Sequence, residues 1–164
     1  MRYKFAIIVA SLLLLVVVAA ARSKPDFSGS WVMDRGRSFG LPGDMNQTME
    51  VKQTAEQIEV ETKLIQPGNE RNVKDVYILD GKEHEFTPPA AAGQTPPKGK
   101  RTANWLADKG IVVDEVTTAD TPKGPVTTRV VRKWTMTAAD ELTISLYVDS
   151  PTVSYEAKRI FKKK

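Results

Sequence analysis

From Phe27 onward the chain alternates apolar and polar residues in short runs, each closed by a turn signal, and this pattern restricts the fold more than anything else in the sequence. In "IEVETKL", Ile58, Val60, Thr62 and Leu64 stand against Glu59, Glu61 and Lys63. A run of that kind is a strand with one face buried and one in water. "FSGSWVM" places Phe27, Gly29, Trp31 and Met33 on one side. Further strands are read at residues 73–79, 83–87, 101–107, 111–118, 126–136, 142–148 and 153–161. "TAEQ", "DGK", "ADKG", "DTPKGP", "TAADE" and "DSP" supply the turns between strands. Successive hairpins make a meander, and a sheet that long has its bare edges removed by rolling shut. The expectation is an all-β, antiparallel up-and-down barrel of about 8–10 strands in one domain, residues 22–164.

What precedes the strands is of another kind. Arg2 and Lys4 lead into "FAIIVASLLLLVVVAAA", residues 5–21, which carries no charge and ends in three alanines. That order is a signal peptide, so residues 1–21 are set aside from the fold. An uncleaved anchor is the alternative, since spanning a bilayer takes roughly 17–25 residues. With cleavage after Ala21, 22 Lys and Arg face 20 Asp and Glu, which gives no reason to propose nucleic acid. The chain has no cysteine, so an exported domain here folds without disulfides. The expected location is secreted or periplasmic, in a bacterium, with no stable membrane span after cleavage. Two connections exceed a tight turn: "DRGRSFGLPGDMN" at 34–46 and the proline-rich "TPPAAAGQTPPKGK" at 87–100.

Two arginines interrupt apolar faces. In residues 153–161 the set Val153, Tyr155, Ala157, Arg159 and Phe161 includes one; in 126–136 the set Val126, Thr128, Val130, Arg132, Trp134 and Met136 includes another. Burying an unpaired charge costs several kcal/mol, so an internal carboxylate or a ligand anion is implied. One reading has Arg132 and Arg159 grip the head group of an amphipathic anion by bidentate hydrogen bonds. Trp134, Tyr155 and Phe161 then help to hold its tail. The other reading lays Arg159 over the Trp31 indole, with Gly29 beside it, as a cation–π clamp that closes the barrel.

The three tryptophans read as core. His84 is the single histidine; no second ligand accompanies it, and no metal or cofactor is called for. No nucleophile–base motif or phosphate loop occurs, and Asp114 and Glu115, adjacent in a strand, face opposite ways. These features argue against an enzyme. The tail "KRIFKKK" reads as a solvated end that also protects a sheet edge.

"DFSGSWVMD" near the start and "YEAKRIFKK" at the end resemble the two ends of the calycin superfamily, the lipocalins and fatty-acid-binding proteins. In lipocalins a Gly-x-Trp, here Gly29 and Trp31, meets an arginine of the last strand, here Arg159, which implies the clamp. "VYILDGKEHEFT" and "TTRVVRKWTMTAADELTISLYV", with "AKRIF", are similar to the fatty-acid-binding branch. That likeness implies a carboxylate held by Arg159 and by Arg129 or Arg132, the register undecided. Phe161 stands where that branch has tyrosine, and the connection after the first strand is too short for its two-helix lid. The expected function is noncatalytic binding of a small hydrophobic or amphipathic, fatty-acid-like molecule. A filled barrel serving as a protein-interaction module of the cell envelope is the alternative, with no protein partner identified.

Overall fold

A computed structural model describes residues 24–40, 44–88, 96–107 and 109–164. The segment read as a signal peptide, 1–21, lies outside the described residues. Among those residues, no helix is long and apolar enough to cross a membrane, which says nothing of strands.

Ten strands follow in order: β1 (Gly29–Met33), β2 (Asn46–Gln53), β3 (Gln57–Gln66), β4 (Asn69–Ile78), β5 (His84–Phe86), β6 (Lys98–Trp105), β7 (Ile111–Thr121), β8 (Gly124–Ala138), β9 (Glu141–Asp149) and β10 (Ser154–Lys163). All pairings are antiparallel, in the order β4-β3-β2-β1-β10-β9-β8-β7-β6-β5. Because β1 pairs with β10, the meander rolls into a nearly closed barrel with a single seam, between β4 and β5. Nine of the strands overlap runs that alternation marks; β2 (Asn46–Gln53) is not among them, and β6 starts at Lys98, inside the stretch read as a loop. The basic tail does not guard an edge: β10 is paired on both sides, with β1 and β9.

One end of the barrel is solid. Phe27, Trp31, Ile58, Ile111, Leu142 and Phe161 are fully buried there, each contributed by the inward face of its segment. Phe27 stacks on Trp105 at 6.4 Å and meets Trp134 edge-on at 5.8 Å, and Trp31 Nε1 donates to Phe27 O at 2.9 Å. Fully burying such side chains contributes about 1.5–3 kcal/mol each. Gly110 is required in this packing, since a Cβ there falls 1.8 Å from Trp134 O at a φ of +150°.

Among its described residues, the β1–β2 connection carries no helical lid. Its described part is a single 3₁₀ turn, η1 (Arg35–Arg37), lying against β10. Asp34 N donates to Ile160 O at 2.7 Å, Ile160 N donates to Ser38 Oγ at 3.0 Å, and Phe39 bridges Lys158. Ser38 thus fills the ladder position that the turn vacates. Glu141 fastens the turn by accepting from Arg37 Nη1 (2.6 Å), Thr137 Oγ1 (2.8 Å) and Lys162 Nζ (3.0 Å). The Arg37, Lys162 and Thr137 hydrogen bonds hold its carboxyl down to about 2, from an ordinary 4.5.

A depressed carboxyl stabilises the fold fully above its unfolded value and loses that contribution as pH falls through the folded one. Urea midpoints of Glu141→Gln are therefore expected below wild type at pH 7. The difference shrinks from about pH 4.5 and vanishes near pH 2. A gap constant across that window removes the carboxylate from the explanation.

Candidate functional site

Above the solid end the barrel is hollow. The cavity has a volume of about 340 Å³, and Met49, Val60, Tyr77, Trp134, Ile144 and Leu146 form its apolar part. Ligand pockets span about 300–1,000 Å³ and are mostly apolar with a few placed polar groups. This one has such groups on six strands: Gln47 on β2, Asp75 on β4, Arg101 on β6, Glu115 on β7, Arg132 on β8 and Arg159 on β10.

Arg132 faces inward, and Arg129 is outside, paired with Asp114 at 2.6 and 3.0 Å. The open choice between the two is thereby settled by the pleat. The internal carboxylate implied by the sequence is Glu115, which accepts from Arg132 Nη1 and, at 2.6 Å, from Arg101 Nε. Arg101 also reaches Asp75 Oδ1 at 2.7 Å and Val76 O at 3.0 Å. Its guanidinium carbon stands 4.0 Å from the Phe86 ring centre and 4.7 Å from that of Tyr77. Gly99 makes room for that ring, a Cβ there falling 2.6 Å from it.

Arg159 is different. Its Nη1 donates to the neutral Gln47 Oε1 at 2.9 Å, and its Nε is buried without a partner among the described residues. Burial pushes its pKa down, and the like charge of Arg132 pushes it further. The Trp134 Nε1, on another residue of the cavity wall, is also buried and unpartnered. An unpaired buried donor costs about 1–3 kcal/mol, more when charged. Both costs disappear on meeting an acceptor.

Among the residues expected to bind ligand, Arg132, Arg159 and Trp134 come together in the wall. Tyr155 does not: it lies at the start of β10, 47% exposed, away from the wall. Phe161 is fully buried but in the solid end below the cavity, two residues past Arg159 on the same face. The expected stacking of Arg159 on Trp31 is replaced by Lys163, whose Nζ is 5.5 Å from the Trp31 ring centre. The reason is register: Trp31 pairs directly with Lys163, whereas Arg159 lies four residues up β10. Gly29, at φ +128°, stands beside this closure, since a Cβ there falls 2.7 Å from Lys163 Cε. Lys24 covers Trp105 in the same way at 4.7 Å.

Sequence reasoning passed over Gln47, Asp75 and Arg101. Each occupies an inward position of an alternating run, as in Val73, Asp75 and Tyr77 or Arg101, Ala103 and Trp105, so the same pattern that marked Arg132 marks them. His84 Nε2, at the start of β5, meets Asp80 Oδ1 at 3.0 Å in the β4–β5 connection. Among the described residues, no three His, Asp or Glu side chains are grouped to hold a metal.

No protein-family model and no curated protein matches the sequence. Among solved structures, that of apo lipid binding protein 8 from Caenorhabditis elegans is similar, with a TM-score of 0.50 and 12% identity over 84% of this chain and 95% of that one. With its ten antiparallel strands, nearly closed meander and hollow upper half, the chain has the calycin-type barrel fold.

Proposed function

We propose that the chain binds, without catalysis, a small amphipathic anion of the fatty-acid type inside the barrel, and does so after export from the cytoplasm. The observation that carries this is Arg159: a half-buried guanidinium with one neutral partner and a buried, free Nε, at the wall of a mostly apolar hollow. A carboxylate there would satisfy the orphaned donor and offset the buried charge, while Met49, Val60, Ile144 and Leu146 take up the alkyl tail. The lipid-binding title of the similar nematode structure accords with this reading. Export rests on the signal-like segment at 1–21. Against the alternative of a filled interaction module stands the hollow itself.

The test is mass spectrometry of small molecules extracted from the natively purified mature protein, followed by titration of the stripped protein with decanoate. A retained anionic amphiphile, and saturable decanoate binding near one per chain, are expected. Neutral ligands alone, or no saturable binding, would overturn the reading.

A further inference from the structure

Among the described residues, the inward charges of the cavity wall are not balanced: cations exceed carboxylates by one. Arg101, Arg132 and Arg159 face Asp75 and Glu115; Arg71, the remaining charged residue of the wall, is exposed and screened by solvent. Tyr77 adds no charge, since burial raises its phenol far above the ordinary value. Two of the guanidiniums are already committed. Arg101 is held by both carboxylates, and Arg132 by Glu115. Of these three guanidiniums, Arg159 has no anionic partner among the described residues.

We infer that Glu115 sets the charge the cavity accepts: one negative charge at Arg159, with dianionic head groups turned away. This rests on the amphiphile-binding reading and narrows it. Without Glu115, Arg132 and Arg159 would form an open pair of cations suited to a head group with two charges, such as a phosphate monoester. With Glu115 in place, a second ligand charge finds no free cation and lies close to a fixed carboxylate in a medium of low dielectric. It also loses its water, which a single orphaned donor does not replace. Carboxylates and sulfonates therefore fit; phosphate dianions do not.

Decyl phosphate tests this because one molecule changes charge, with a second pKa of about 6 for a phosphate monoester. Decyl sulfonate, a monoanion throughout, reports any titration of the protein itself. Dissociation constants of both are measured at pH 5 and pH 8 for wild type, Glu115→Gln and Glu115→Asp. In wild type the phosphate is expected to bind tenfold or more weaker at pH 8 than at pH 5, after correction by the sulfonate. Glu115→Gln should reduce that ratio to threefold or less, and Glu115→Asp, which keeps the charge, should retain it.

The variant separates the effect of Glu115 from the general cost of drying a second charge. An unchanged ratio in Glu115→Gln, or dianion binding in wild type as tight as the monoanion, overturns the inference. If Glu115→Gln does not fold, Glu115→Ser, which removes the charge with a smaller polar side chain, takes its place in the comparison. Failure of decyl sulfonate to bind at either pH sinks the amphiphile reading itself, a different outcome from binding without charge selection.

Discussion

Arg159→Met is expected to lower decanoate affinity by about 10- to 100-fold while leaving the melting temperature of the ligand-free protein unchanged or raised. The two halves of that result come from one fact: the half-buried guanidinium meets Gln47, and among the described residues no carboxylate repays its desolvation. A charge-assisted hydrogen bond contributes about 1.5–3 kcal/mol, which is roughly one to two decades of affinity. Methionine keeps the apolar stem that packs along the wall, so the change removes charge and donors more than volume. Arg129→Met, on the outer face and paired with Asp114, is the control and should leave affinity as it was. The measurements are calorimetric titration and thermal unfolding. A melting temperature several degrees lower with affinity intact would make Arg159 a structural clamp, the role that geometry gives to Lys163.

The fold is legible in the sequence because alternation is a local signal and the barrel repeats it. "IEVETKL" carries it in seven residues, and β3 contains them. β2 is harder to see: its inward set is Gln47, Met49, Val51 and Gln53, with a polar residue at either end. Gln47 is nevertheless buried, because its amide faces Arg159 across the cavity. That contact joins residues 112 positions apart, and no local period announces it.

The same limit applies to the site. That Arg132 and Arg159 point inward is written in their neighbours; which cation receives a carboxylate depends on how strands on different sides of the barrel meet. Glu115 and Arg132 lie on adjacent strands and find each other, while Arg159 meets a glutamine. The clamp expectation failed for a related reason. It matched Trp31 with the arginine of the last strand, whereas the pairing of β1 with β10 sets Trp31 against Lys163. A shift of four residues preserves the face and changes the partner.

Arg101→Met is expected to cost about 3–5 kcal/mol of stability, the largest loss from any single charged residue in the barrel wall. The side chain is 7% exposed and bridges the seam, where no strand ladder joins β4 to β5. Its Nη1 takes the Val76 carbonyl and its Nη2 takes Asp75, both on β4, while its Nε holds Glu115 on β7. Methionine leaves Asp75 without its cation, Glu115 with Arg132 alone and the Val76 carbonyl without that donor. Removing one partner of a buried, hydrogen-bonded set is costlier than the set is worth, because the remaining charges stay desolvated. Neighbouring Lys100 provides the contrast: it points outward to Glu83 at 2.7 Å, both side chains exposed, and Lys100→Met should leave stability close to wild type. Denaturant unfolding measures both, and hydrogen exchange locates the damage, which should concentrate in β4 and β5 before reaching β8 or β9. Asp75, Phe86 and Arg101 line both the cavity and a separate hollow of about 270 Å³ in the seam, so this one side chain stands between the two. Equal, small losses for Arg101→Met and Lys100→Met would mean that the seam is held by β3–β4 and β6–β7 pairing alone, with the guanidinium a passenger.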